Sequence, residues 1–158
     1  MLRGFLISSF VTLALVSVNS LAASCATSIE KLNQIAHVSQ SGSPEHLENY
    51  VLGRFKADHG FYVFDYRDQI YLGIDGGFLL GKKAYPVSVC LKGNRTLLIS
   101  ADLDGSRQSL SVKIQGDEGS VSLLLSGGTG KLASFNGVYP RNNKVSAAEI
   151  IRMFESAL

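Results

Sequence analysis

The sequence predicts an α+β domain, with two short N-terminal helices, an antiparallel meander of six or seven strands, and a C-terminal helix packed on one face of the sheet. Two observations predict this class. Apolar residues recur at helical spacing near both ends of the 158-residue chain and at a period of two between them. Turns of only a few residues join the alternating stretches, and such turns require antiparallel neighbours, because parallel strands need a long crossover.

The first 22 residues are predicted to be a signal peptide. Arg3 supplies a positive charge, residues 5–18 form an uncharged apolar run, and residues 20–22 include the small side chains that a signal peptidase requires. The run is shorter than the ~20 apolar residues of a membrane span, so none is predicted. We expect export to the periplasm or the extracellular space, and one folded domain over residues 23–158.

The two cysteines, Cys25 and Cys90, are predicted to form a disulfide, because an even cysteine count in an exported protein, which meets an oxidising compartment, suggests one. In the chain-entropy model, closing a loop of this length contributes about 4 kcal/mol. Two alternatives remain open. In the first, Cys25 carries a lipid, since residues 21–25 loosely resemble a bacterial lipobox, although Ala22 stands where that motif prefers leucine. In the second, both thiols are free.

Two N-terminal helices are predicted from their end signals. Thr27 with Glu30 has the spacing of a capping box, and apolar residues follow it at helical intervals. Ser43 as N-cap, Pro44 in the first turn and Gly53 just past the end predict the second helix.

From Arg54 onward, short stretches of period two predict strands. Residues 60–66 and 69–74 flank Arg67–Asp68 and are predicted to form a hairpin. In residues 109–114 and 120–126, apolar residues alternate with serine and lysine, which predicts one buried and one solvated face.

The C-terminal helix is predicted from a second capping box, Ser146 with Glu149. Its apolar stripe comprises Ile150, Ile151, Phe154 and Leu158.

The first hairpin carries large apolar side chains on both faces. Phe61 and Val63 are predicted to share one face with Ile70, Leu72 and Ile74, and the opposite face receives Tyr62, Phe64, Tyr66 and Tyr71. Such a second face is either covered by another part of the chain, such as the second helix, or free for a partner. Tyrosine suits both roles because its ring packs while its hydroxyl stays solvated. These four residues are therefore the candidate binding patch.

No recognised cofactor or metal motif is found in the sequence. Residues 125–132 superficially resemble a phosphate-binding loop, but Leu125 and Leu132 stand where that motif needs its first glycine and its magnesium-binding hydroxyl. This segment is predicted to be a glycine-rich turn. The three histidines lack zinc-site spacing, and residues 102–105 lack the later ligands of a calcium loop. No catalytic, cofactor or metal residue is assigned.

The scattered basic residues disfavour nucleic-acid binding, which normally requires a clustered basic surface. We expect an exported, non-catalytic domain that binds a partner protein or surface through the candidate patch. The alternative is a carrier of a small apolar, lipid-type ligand in a cavity between sheet and helices. The order of elements resembles that of helix-grip folds, which implies such a cavity. A secreted hydrolase using His59 or His46 with a serine is the third hypothesis.

Overall fold

The computed structural model describes residues 24–39, 46–55, 61–77, 81–142 and 144–158, and every structural statement concerns these residues. The predicted signal peptide, the predicted start of the second helix at Ser43 and Pro44, and His59 lie outside them.

The described chain contains nine strands and three α-helices. The strands are β1 Cys25–Ala26, β2 Gly53–Arg54, β3 Phe61–Tyr66, β4 Gln69–Asp75, β5 Lys82–Gly93, β6 Thr96–Leu103, β7 Ser106–Gln115, β8 Ser122–Ser126 and β9 Gly137–Pro140. The helices are α1 Ile29–Ser39, α2 Glu48–Val51 and α3 Ala147–Phe154, with short 3-10 turns at Glu118–Ser120, Gly130–Phe135 and Glu155–Ala157.

The sheet is antiparallel throughout, and from β2 to β9 each strand pairs with the next one in the chain. The predicted meander is therefore confirmed. The predicted number of six or seven strands was too low, because β1 and β2 contain only two residues each and leave no periodic pattern. The first half of β5 pairs with β4, and its second half pairs with β6 and β1.

The sheet curls until its two ends meet. The backbone N–H of Asn142, just beyond β9, donates to the carbonyl of Arg54 in β2 at 2.8 Å, and the two residues form a bridge. This closure encloses the inner face of the sheet, where the main apolar core lies.

The inner face follows the predicted alternation of side chains. Phe61 and Val63 lie in the same core as Ile70 and Leu72, with Ile74 at its edge. The inward residues of β7 and of the β8 segment are also buried, whereas their serines are half-buried or exposed. The buried set is Leu110, Val112, Ile114, Val121, Leu123 and Leu125. Leu32 of α1 and Leu47 before α2 enter the same core.

The hairpin turn is formed by Arg67 and Asp68, as predicted. Both residues have positive φ, 50° and 61°, and Tyr66 pairs with Gln69 across the turn. Two positive φ values define the turn type whose twist matches that of the two strands.

The start of the first helix differs from the sequence expectation. Helix α1 begins at Ile29, with the Ser28 hydroxyl accepting from Lys31 N at 3.4 Å, so the cap lies one residue beyond Thr27. The Thr27 carbonyl instead accepts from Ile70 N at 2.6 Å.

None of the described helices is both long and apolar enough to cross a membrane.

The C-terminal helix has the predicted capping box, in which the Ser146 hydroxyl accepts from Glu149 N and the Glu149 carboxylate accepts from Ser146 N. Ile150 and Phe154 are buried and Ile151 is half-buried. Leu158 is 41 % exposed, because the α-helix ends at Phe154 and the predicted stripe does not continue.

Candidate functional site

The two cysteines are joined by a disulfide, as predicted, and they lie directly opposite each other on β1 and β5. The neighbouring backbone bond, from Leu91 N to the Ser24 carbonyl at 3.1 Å, completes the pairing of β1. The disulfide therefore ties β1 to β5, in the middle of the sheet.

The outer face of β3 and β4 is covered by α3. Phe154 packs edge-on against Tyr62, with ring centroids 5.1 Å apart, and stacks on Phe64 at 5.4 Å. Tyr62 and Phe64 are 1 % and 2 % exposed. Burial raises the pKa of the Tyr62 hydroxyl, although the nearby charge of Arg54 opposes this shift.

This cover corrects the sequence interpretation in two respects. The C-terminal helix, rather than the second helix, packs on the outer face of the hairpin. Because the helix buries Tyr62 and Phe64, the four predicted patch residues do not form one exposed surface. Tyr66 and Tyr71 remain half-buried at the edge of the covered cluster.

The accessible part of the predicted patch consists of Tyr66 and Tyr71. We call these two residues, together with the neighbouring Arg67, the rim. The Arg67 guanidinium lies over the Tyr66 ring, 5.0 Å from its centroid. Tyr71 stacks on the buried Phe64 with centroids 5.6 Å apart. Phe64 therefore restrains the Tyr71 ring and Arg67 restrains the Tyr66 ring, while part of each tyrosine side chain stays accessible.

A cleft of about 360 Å³ opens between the sheet and the helices, at the end of β2. Small-molecule sites range from ~300 to 1,000 Å³ and combine apolar walls with a few polar groups. Its apolar wall consists of Leu52, Val63, Phe64, Val145 and Ile150. Its charged lining consists of Glu48, Asp65 and Arg141.

Arg141 is fixed in the cleft from three directions. Its backbone N–H donates to the Val121 carbonyl at 2.9 Å, and its guanidinium Nη1 donates to the Asn49 carbonyl. Its side chain passes over Gly53, where an added Cβ would lie 3.1 Å from Arg141 Nε. Burial lowers the pKa of the Arg141 guanidinium, with Glu118 acting in the opposite direction.

The two acids of the cleft are held by other groups. Glu48 accepts from Asn33 Nδ2 at 2.6 Å and contacts His46 Nδ1 at 3.3 Å. Partial burial opposes ionisation of Glu48, but these contacts hold its pKa below the usual value. Asp65 Oδ2 accepts from Ile29 N, the first amide of α1, at 3.0 Å. Among the described residues, neither acid forms an ion pair with Arg141.

The glycine-rich segment has a structural role at the end of the β6–β7 hairpin. Thr129 exchanges two hydrogen bonds with Ser109, at 2.9 and 3.0 Å. Lys131 N donates to the buried Gln108 Oε1 at 2.7 Å, and Leu132 enters the core fully buried. Gly130 has φ 54°, so the segment is the glycine-rich turn that the sequence predicts.

The hydrolase hypothesis uses His59 or His46 with a serine. His46 contacts Glu48 and is largely exposed, whereas His59 lies outside the described residues. Within the described ranges, no group of three His, Cys, Asp or Glu side chains is placed to hold a metal ion.

Comparison of the chain with protein-family models, with curated proteins and with solved structures finds no match.

The sequence analysis missed the cleft. Arg141 is an isolated charge after β9, and Asp65 is the next-to-last residue of β3, so neither has a motif around it. The only local signal is Gly53, interpreted from sequence as a helix stop, whose missing side chain makes room for Arg141.

Proposed function

We propose that this chain is an exported, non-catalytic domain that binds a partner protein through the rim formed by Tyr66, Arg67 and Tyr71. The observation that carries the proposal is that both tyrosines stay partly accessible beside a cluster that buries Tyr62 and Phe64. Tyrosine and arginine are enriched at protein interfaces and at the residues that dominate binding energy.

The packing of the rim supports this proposal energetically. Stacking on Phe64 restrains Tyr71, and Arg67 restrains Tyr66, so little side-chain freedom is lost when a partner binds. The disulfide between Cys25 and Cys90 supports export, because such bonds persist in oxidising compartments.

The test is the double variant Tyr66→Ser/Tyr71→Ser, compared with Val138→Ser in β9. Val138 is 58 % exposed and does not belong to the cluster under α3, so it is a control for loss of surface apolar area. Cross-linking of the tagged protein in its native compartment, followed by mass spectrometry, should recover a defined partner with wild type and Val138→Ser only.

Two results would count against the rim. If the double variant unfolds far more easily than wild type, the tyrosines serve the core instead of a partner. If its cross-linked partners match those of wild type, binding occurs elsewhere. Thermal and denaturant unfolding measured on the same samples separates these cases.

The cleft favours a second candidate function, a carrier of a small ligand. It lies between sheet and helices, where this hypothesis expects a cavity, and its volume falls in the range of ligand sites. Native mass spectrometry of protein purified from its own source tests this function. A carrier is expected to retain some added mass, and a clean unliganded mass argues against it.

A further inference from the structure

We infer that the cleft between β2, β3 and α3 binds a small zwitterion with an apolar side chain, such as an apolar α-amino acid. Arg141 holds its carboxylate, Asp65 holds its ammonium group, and the apolar wall holds the side chain. This inference rests on the second proposed function, that of a small-ligand carrier, and specifies the chemical class of the ligand.

The carboxylate partner is Arg141. One of its guanidinium donors is used by the Asn49 carbonyl, and among the described residues no carboxylate forms an ion pair with it. A guanidinium has five N–H donors in a planar fork that matches a carboxylate. Because Asn49 and Gly53 fix the orientation of Arg141, a ligand carboxylate meets donors that are already positioned.

The ammonium partner is Asp65. One carboxylate oxygen, Oδ2, accepts from Ile29 N, and Oδ1 has no partner in the described hydrogen bonds. The other acid in the cleft, Glu48, has both oxygens engaged, by Asn33 and His46. A carboxylate accepts more than one hydrogen bond, so Asp65 can hold Ile29 and a ligand ammonium together.

The backbone N–H and C=O of Asp65 are further polar groups that a zwitterion in the cleft can contact. Asp65 lies opposite Ile70, and Ile70 N donates away from β3, to the Thr27 carbonyl. This makes Asp65–Ile70 a pair without mutual hydrogen bonds, so the Asp65 N–H and C=O point to the other side of β3. On that side β2 pairs only with Tyr62 and Val63, and no described strand residue lies opposite Asp65.

The charges and the volume together select a zwitterion. A simple fatty acid would satisfy Arg141 but would lie beside Asp65 and Glu48, whereas an amine would face Arg141. The cleft of about 360 Å³ falls in the range of small-molecule sites and has room for an amino acid with a large apolar side chain, such as phenylalanine.

The experiment uses L-phenylalanine as the probe, with 3-phenylpropionate and phenethylamine as matched compounds that lack one charge each. Binding to the full mature protein is followed by calorimetry and by NMR of the Val145 and Ile150 methyl groups. We expect saturable binding of L-phenylalanine and at least tenfold weaker binding of both analogues, since each lacks one charge-assisted contact.

Three variants locate the site. Arg141→Gln and Asp65→Asn should each weaken L-phenylalanine at least tenfold, and the amide oxygen introduced by Asp65→Asn still accepts from Ile29 N. Ala147→Leu enlarges an apolar side chain that lines the cleft at the exposed start of α3, and it leaves Arg141 and Asp65 in place. It should abolish binding, whereas Ala148→Leu, also exposed but outside the lining, should not.

The outcomes separate the ligand class from the carrier function. If both analogues bind as tightly as L-phenylalanine and Ala147→Leu blocks all three, the cleft is a ligand site but the zwitterion assignment is wrong. If L-phenylalanine does not bind, or binds Ala147→Leu as tightly as wild type, the inference is overturned. Should Arg141→Gln fail to fold, Asp65→Asn and Ala147→Leu still decide it.

Discussion

The tip of the Phe154 ring lies against Gly73, so close that a Cβ added to Gly73 would be 2.7 Å from Phe154 Cζ. Gly73 lies opposite Tyr62 on β3 and Ala84 on β5, so small residues leave a depression beside Tyr62. The C-terminal helix inserts its last buried side chain there. Because Gly73 in β4 has no side chain, Phe154 of α3 can pack at this point of the sheet.

Gly73→Ala is therefore expected to destabilise the protein by about 1–3 kcal/mol, the usual cost of overpacking a filled core. Chemical denaturation measures this free energy of unfolding. The matched control is Gly119→Ala, because no atom of the described residues lies within 4 Å of an added Cβ there. In a Phe154→Ala background, which itself costs about 3–5 kcal/mol, the Gly73→Ala penalty should vanish. An unchanged penalty in that background would contradict direct contact.

Replacing both cysteines with serine is expected to lower the free energy of unfolding by up to about 4 kcal/mol, since the bond spans 65 residues. Cys25 and Cys90 join β1, a two-residue strand, to β5, so the Leu91 amide should also exchange faster with solvent. Reduced wild type should behave like the double variant. A loss well below 1 kcal/mol would show that β1 is held by its backbone pairing and by α1.

The glycine-rich turn provides a test that distinguishes a structural role from phosphate binding. An alanine Cβ at Gly130 would lie 2.5 Å from Gln108 Cδ, and the φ of 54° disfavours any side chain. Gly130→Ala should destabilise the fold, and Gln108→Ala should cost about 1–3 kcal/mol by leaving Lys131 N without its acceptor.

Lys131→Met is the matched control for that turn. The Lys131 side chain pairs with Asp104 on the surface, and exposed ion pairs contribute little, so stability should change little. A nucleotide that stabilises wild type against unfolding but not Lys131→Met would contradict the structural interpretation.

The strand faces were predictable because side chains alternate along a strand, so the face of one residue determines the face of every other residue in it. Once Arg67–Asp68 is the turn, Phe61 and Tyr62 must lie on opposite faces, and the structure places them so. What covers the second face was not predictable. The spacing of Ile150 and Phe154 defines an apolar helix face but not the surface it meets.

The cleft was beyond sequence analysis for a similar reason. Asp65 and Arg141 are far apart in the chain and come to line the same cleft because the sheet curls until Arg54 meets Asn142. Curl depends on the twist accumulated over all the strands, and no local pattern encodes it.

The start of α3 should make its packing sensitive to acid. Hydrogen bonds from the Ser146 backbone and hydroxyl hold the pKa of Glu149 below its usual value, with help from the Arg152 charge. A carboxyl group with a lowered pKa stabilises the folded state when ionised. Its contribution is complete above the ordinary glutamate pKa of about 4.3 and is lost as the pH falls through the lower folded value.

Amide exchange of Glu149 and Ile150, measured between neutral pH and pH ~3 and corrected for intrinsic rates, should therefore show α3 fraying in acid. Glu149→Gln keeps a capping-box residue that does not titrate, so its protection should lose this pH dependence. Ser146→Ala removes the hydroxyl and should fray at every pH. If wild type and Glu149→Gln respond identically to acid, another group controls the docking of α3, and the capping box is not the acid-sensitive element.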